Sequence, residues 1–320
     1  MRLAKTSGIA ARLLSVLITL FGISVFIFIV LRVIPGDTIT GSLGIETGVL
    51  TPEQIDDLKR YYGIDKPLLL QYFSWITSFL SGDLGFAYST GVSVLTLTAS
   101  SLPVTIELAL FGTISGVIMG IAIGMFSAKK PGSARDFFGQ LFGLLALAIP
   151  GFVLSTAIVT IMANKFGYFP NGYEYMTPWE DLWMNLQQML FPSIVLGIAV
   201  AAPVMRTTRS ALLETVDKDF IRTAFGKGLK SRTVQFRHVL RNSMIPIVTM
   251  TGIQFGYLRG GAVIVEKIFA LPGMGRQILD AINKREYATV QSSVMIFAIL
   301  FVTINLVTDL IYRRIDPRIK

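Results

Sequence analysis

An uncharged run of 19 residues, Leu13–Leu31, leaves few folds open to this chain. Coiled as an α-helix at 1.5 Å per residue, such a run nearly crosses a hydrocarbon layer about 30 Å thick. Lipid offers no hydrogen bonds to open backbone, so a crossing segment must be a helix or a strand of a closed barrel. Five more apolar runs follow: Leu102–Ala128, Phe137–Met162, Met189–Met205, Ile245–Val265 and Thr289–Tyr312. Their lengths point to an all-α integral membrane protein with six transmembrane helices. Arg32 and Val33-Ile34-Pro35-Gly36-Asp37 stand where a secretory leader needs small residues for cleavage, so the first run reads as an uncleaved span, with Arg32 snorkelling to the outer interface. Pro150-Gly151 is expected to kink the third span.

Charge sets the orientation. Residues 1–12, the turn Lys129-Lys130-Pro131-Gly132 with Arg135, the stretch Arg206–Pro246 and the tail Arg313–Lys320 hold 19 of the 29 Lys and Arg. An excess of basic residues marks cytoplasmic loops, which places both termini in the cytoplasm. The net charge of +9 does not indicate nucleic acid, because the basic residues are interleaved with spans rather than gathered on a soluble domain. Ile34–Ser101, with seven acids against three bases, is expected outside. Thr51-Pro52-Glu53 reads as a helix start, and Asp56–Tyr62 and Pro67–Leu80 as short helices of a small external helical layer. Lys165–Gln188 and Lys267–Ala288 are the other external segments; Tyr175, Trp179 and Trp183 suit the interfacial belt. The chain therefore divides into residues 1–95, the first transmembrane helix with an external capping segment, and residues 96–320, a five-helix core with a cytoplasmic loop at about 206–246.

Two sets of glycines recur every four residues: Gly112, Gly116, Gly120 and Gly124 in the second span, and Gly252, Gly256 and Gly260 in the fifth. Such a stripe makes a groove in which another helix approaches closely, and alternatively a bare wall of a pathway. Arg259 sits within the fifth apolar run. A cation at that depth must face the bundle interior or a wet path. It either meets carboxylates of passing cargo or pairs with Glu107, Glu266 or a partner subunit.

The segment Arg206–Pro246 carries nine Lys and Arg and only Glu214, Asp217 and Asp219 as acids. Two helical stretches are expected within it, broken at Gly226–Gly228. The upstream one presents Phe220, Ala224 and Phe225 at helical spacing; the downstream one presents Val234, Val239 and Leu240 among Arg232, Arg237 and Arg241. On pattern alone, this is equally a helix that docks on another protein and a connector resting on anionic lipid.

Arg222-Thr223-Ala224, followed after three residues by Gly228, resembles the EAA loop of ATP-binding-cassette importer permeases; Arg222 and Thr223 depart from its Glu and Ala. The longer string RTAFGKGLKSRTVQFRHVLRNSMIPIV resembles the dipeptide, oligopeptide and nickel permeases in particular. Val33-Ile34-Pro35-Gly36-Asp37, Tyr62-Gly63-Ile64-Asp65-Lys66-Pro67, Gly82-Asp83-Leu84-Gly85, Phe269–Gly275, Arg285–Ala288 and Asp316-Pro317-Arg318 fit the same family in the same order, although Thr38 stands where Pro is usual. The resemblance implies a type I importer permease in a bacterial or archaeal cytoplasmic membrane. Its partners would be a second homologous permease, two ATPase subunits, an external substrate-binding protein and membrane lipid, with no nucleic acid. Arg222, Thr223, Ala224, Phe225, Lys227, Gly228 and Leu229 would form the element that couples to the ATPase. Di- or oligopeptides are the implied cargo; nickel complexes, glutathione, some sugars or another small solute are the alternatives.

Chemistry of other kinds finds little support. No Gly-x4-Gly-Lys-Ser/Thr loop occurs, so ATP and magnesium would be bound by partners and the chain is expected to have no catalytic residues and no cofactor of its own. Cysteine is absent, and a single histidine, His238, argues against a metal site. A secondary transporter should carry intramembrane acids; Glu107 and Asp309 both lie towards span ends. A membrane enzyme or assembly factor would lack a recognisable catalytic constellation.

Overall fold

The computed structural model describes residues 3–33, 51, 53, 65–87, 89–167 and 174–315. The expected helix Asp56–Tyr62, the turn Asn171-Gly172 and the motif Asp316-Pro317-Arg318 lie outside them. The helices are α1 Leu3–Val33, α2 Leu68–Leu80, α3 Val94–Ala128, α4 Ala134–Ala148, α5 Gly151–Phe166, α6 Leu182–Val216, α7 Asp219–Gly226, α8 Arg241–Ile268, α9 Met274–Asn283 and α10 Tyr287–Ile315. A helical turn Ser231–Thr233 and a π-helical stretch Val234–Leu240 run directly into α8.

Among the described residues, four helices are long and apolar enough to cross a membrane: Leu14–Val33 of α1, α3, α6 and Tyr287–Ile304 of α10. The expected third span is not kinked but broken. Its halves α4 and α5 meet at 99° across Ile149–Pro150, and count as a fifth span if taken together. Proline lacks the amide hydrogen that would continue the ladder and forces the preceding residue out of the helical region. Ile149 is accordingly extended, with φ −86° and ψ 116°. The remaining expected span, Ile245–Val265, lies within the 28-residue α8. Thr249, Thr251, Gln254 and Arg259 make it less apolar than its neighbours.

The chain forms two compact units. The first comprises Met1–Pro103 and Arg276–Asn305. Its buried core gathers Ile27, Leu31, Ala281 and Val290, flanked by Trp75, Tyr287 and Val294. Arg32 does not extend freely to water. Its Nε donates to Gln71 of α2 at 3.0 Å, and its guanidinium lies 3.4 Å over the Phe28 ring.

The second unit comprises Val104–Gly275 and Leu306–Lys320. Its core joins Val104 and Leu108 of α3 to Met189, Leu196, Val200 and Val204 of α6 and to Ile247, Val265 and Phe269. Helix α6 is the centre of this unit. Of its apolar window 67% is buried, against 22 to 44% for the other three spans. At 35 residues it also exceeds the expected Met189–Met205 at both ends. It begins at Asp181, whose carboxylate caps the Met184 amide at 3.0 Å, and it continues well past the basic residues Arg206 and Arg209.

Candidate functional site

The eight residues of α7 hang from the end of α6 by the tight turn Asp217-Lys218. Asp219 in the first turn suits the positive end of the helix dipole. The C-terminus closes with Gly228 at φ +75°, a left-handed conformation that glycine adopts without a Cβ clash. The Leu229 amide donates back to Ala224 O at 3.4 Å and the Gly228 amide to Phe225 O at 2.9 Å, which together form a Schellman closure.

The helix has two unlike faces. Ile221 and Ala224 are buried with Leu212 of α6 and with Val234 and Val239 of the π-helical stretch; Met125 and Ala128 of α3 complete that cluster. In the π-helical stretch the backbone bonds i to i+5, so residues five apart fall near one another, and Val234 and Val239 both enter the cluster. Phe220 and Phe225, expected beside Ala224, face outward instead, at 42% and 48% exposure. The reason is angular: at 100° per residue, Ile221 and Ala224 share a side that Phe220 and Phe225 flank. Arg222, Thr223, Lys227, Gly228 and Leu229 are exposed with them. The outward surface is thus two phenylalanines, a leucine and two cations on a short helix with an apolar underside. Aromatic residues and arginine in such a setting are the usual hot spots of protein docking.

Three separate contacts fix the α6 end from which α7 hangs. The first is the glycine stripe of α3. A Cβ at Gly112, Gly116, Gly120 or Gly124 would lie 2.9, 2.5, 2.7 or 2.7 Å from Leu196, Val200, Val204 or Thr208, themselves spaced by four along α6. The second is a fork between Arg209 and Asp136 of α4. Nε and Nη2 donate to the two carboxylate oxygens at 2.6 and 2.7 Å. Asp136 is 2% exposed and also accepts from Ser127 Oγ at 2.5 Å and the Gly132 amide at 2.9 Å. The third is Ser243 at the start of α8, whose hydroxyl lies 3.0 Å from Ala211 O, Thr215 Oγ1 and Val239 O. Beside the fork opens a cavity of about 630 Å³, lined by Phe137, Gln140, Leu141, Leu144, Met205 and Arg206 among others.

The opposite end of α6 is held by an amide and a phenol that lead to one carboxylate, Glu107. Asn185, fully buried, donates to Tyr175 Oη at 3.1 Å and Met176 O at 3.0 Å. Tyr175 Oη donates to Glu107 of α3 at 2.6 Å. Burial, then the hydrogen bond and charge of Glu107, push the Tyr175 hydroxyl well above the ordinary phenol range. Glu107 Oε1 and Asn185 Oδ1 are buried without a hydrogen-bond partner. Glu266, fully buried, accepts from Thr105 Oγ1 at 2.7 Å and fills the space over Gly273 and Gly275.

Arg259, Gly256 and Gly260 lie on α8, and their surroundings fall outside the described residues; Gly252 lies one turn earlier on the same helix. Sequence reasoning did not find the Asp136–Arg209 fork, the Tyr175–Glu107 bond or the Thr105–Glu266 bond. A lone acid just after a basic turn was the available signal for the first.

Residues 120–320 match the model of the binding-protein-dependent transport system inner membrane component, and residues 7–109 match that of the N-terminal part of such membrane components. The chain is 34% identical to the dipeptide transport system permease protein DppB of Alkalihalophilus pseudofirmus, over 97% of its own length and 98% of that protein's. It is also 34% identical to the glutathione transport system permease protein GsiC of Escherichia coli, over 97% of both chains. Among solved structures, an inward-facing MetNI methionine ABC transporter superimposes with a TM-score of 0.55 at 15% identity, covering 69% of this chain and 96% of that one. An amino acid ABC transporter with histidines gives 0.52 at 17% identity, over 68% and 94%. At these identities the two structures speak for the fold alone.

Proposed function

The chain belongs to the inner-membrane components of binding-protein-dependent transport systems, as an ABC importer permease of the dipeptide and oligopeptide family, and on that premise we propose that it forms half of a translocation path for short peptides. A second homologous permease supplies the other half, two ATPase subunits bind ATP and magnesium, and an external binding protein delivers the cargo. Both termini and α7 face the cytoplasm.

The observation that carries the coupling role is the division of α7 into a buried underside and an exposed aromatic and basic top. The top, with Phe220, Arg222, Phe225, Lys227 and Leu229, docks on an ATPase. The underside, Ile221 and Ala224, transmits its displacement to Leu212, Val234 and Val239. Because Thr208, Arg209 and Ala211 are tied to α3, α4 and α8, a pull on α7 reaches three other helices at once. Such a pull shifts the conformational equilibrium only by the difference in ATPase contact energy between the two states.

The equal identity to a dipeptide permease and a glutathione permease favours cargo with a peptide backbone and free carboxylates, glutathione included. Arg259 is proposed to meet those carboxylates. Gly228→Pro is the direct test of coupling, since proline fixes φ near −65° where +75° is needed. In vesicles holding the full complex, the variant should insert and ATP hydrolysis should continue while peptide uptake is lost; normal uptake would remove the coupling role. Arg259→Leu should lower uptake of peptides with a free carboxylate more than that of amidated ones, and unchanged uptake of both would leave Arg259 a structural residue. Uptake by the purified chain alone would favour a secondary transporter.

A further inference from the structure

Helix α2 carries no charge in its 13 residues, LLLQYFSWITSFL. At 1.5 Å per residue it is about 20 Å long, too short to cross a hydrocarbon core of about 30 Å. A short helix resting in water should turn a polar face outward. Here the outward residues are mostly apolar: Leu68, Leu69, Leu70, Phe73 and Leu80 are each between 56 and 78% exposed, joined only by the uncharged Ser74 and Thr77.

Three of its polar side chains, Gln71, Tyr72 and Thr77, are bonded within the protein. Thr77 Oγ1 lies 2.8 Å from both Phe73 O and Ser74 O. Gln71 donates to Lys66 O at 2.8 Å and accepts from Arg32. The Tyr72 hydroxyl lies 2.8 Å from Ser24 Oγ of α1. These three find partners within the protein, as a medium without water requires, whereas Ser74 is exposed and the Trp75 indole Nε1 is buried without a hydrogen-bond partner among the described residues.

The contacts with α1 set the depth. Tyr72 meets the Phe28 ring edge-on at 5.3 Å and the Phe21 ring at 6.5 Å. The apolar window of α1 is Leu14–Val33. Ser24 lies nine residues before its end, about 14 Å along the helix and so close to mid-span. The side chain of Tyr72 thus reaches the middle of a segment that crosses the bilayer. Arg32, over Phe28 and bonded to Gln71, marks the headgroup end of the same contact. The bare side of α1 beside it, Leu17, Ile18, Phe21 and Phe26, is exposed at 62 to 67% and is continuous with α2 through the Phe21–Tyr72 contact.

We propose that α2 is immersed in one leaflet of the bilayer, with its exposed leucines and Phe73 covered by phospholipid acyl chains. The orientation given above makes this the outer leaflet; the immersion itself does not depend on the cargo or on coupling. The outer helical layer is then partly a lipid-facing one, and α2 pins the segment after α1 to the membrane rather than leaving it in solvent.

The chain has no cysteine, so single cysteines for spin labelling can be placed without further change. Leu69→Cys and Phe73→Cys report on α2, Ile18→Cys on the lipid-facing side of α1, and Thr90→Cys on an exposed turn. In the full complex in phospholipid vesicles, labels at 69 and 73 should collide more with oxygen than with a water-soluble nickel chelate, as at 18 and opposite to 90. Labels that behave as at 90 would place α2 in water and overturn the proposal. Labels shielded from both reagents would mean a protein partner covers α2, and would equally overturn it. As a second reading, Trp75 alone, after Trp179→Phe and Trp183→Phe, should be quenched by acyl-brominated phospholipid more than by acrylamide; the reverse order would also overturn it.

Discussion

The two ends of α6 are held by different chemistry. At one end Arg209 and Asp136 form a charged fork, and the donors Ser127 and Gly132 complete the carboxylate. At the other, the uncharged side chains of Asn185 and Tyr175 lead to Glu107 through a single phenol–carboxylate bond, and two acceptor atoms remain without partners. A carboxylate buried with all its bonds made is costly to disturb, because breaking one partner strands a charge. A network already short of partners loses less when it opens. The end of α6 that carries α7 should therefore be the stiffer one, and the Tyr175 end the one that gives first.

Removing the fork should show the largest effect. Arg209→Ala strands Asp136 and should destabilise the protein by about 3 kcal/mol, read as a lower midpoint of thermal unfolding in detergent. Asp136→Asn should cost less, because Arg209 is 25% exposed and can reach water; the reverse order would break the account of the stiff end. Next comes the glycine stripe that packs along α6 from Leu196 to Thr208. Gly116→Val places a Cβ 2.5 Å from that of Val200 and should cost about 2 kcal/mol by overpacking, with loss of assembled complex on size exclusion. Tyr175→Phe removes the donor to the Glu107 carboxylate and should cost about 1.5 kcal/mol. A loss as large as that of Arg209→Ala would erase the contrast between the ends. The smallest stability change belongs to Phe220→Ala with Phe225→Ala. Both rings point away from the core, so unfolding should move little, while binding of the ATPase subunits in pull-down should fall sharply.

The membrane spans were legible because apolar runs of twenty or so residues have few alternative fates. The stripe Gly112 to Gly124 was legible for a similar reason, since its spacing of four is a helical period. The break at Ile149–Pro150 was located correctly but its 99° was not, because proline removes a bond without dictating where the next helix points. The extension of α6 past Arg209 was hidden by charge: Arg209 looks like a loop residue until Asp136, 73 positions earlier, is brought to it. The turning outward of Phe220 and Phe225 was hidden likewise, because on an eight-residue helix two apolar stripes compete, and only Val234 and Val239 decide which one is covered. Long-range pairings of single residues leave no period in the sequence to read.

The stretch Val234–Leu240 winds wider than the helices on either side of it. A wide turn of this kind holds one residue more than the α-helix it interrupts. Excising a single residue there would let the chain rewind as an uninterrupted α-helix with little change of azimuth beyond it, because the wide turn already absorbs that residue. A second excision would find no such slack and would turn everything after it by about 100°, the step of one residue. A frame-preserving loss of one codon in this stretch is thus absorbed, whereas the loss of two swings the whole of α8 to a different face.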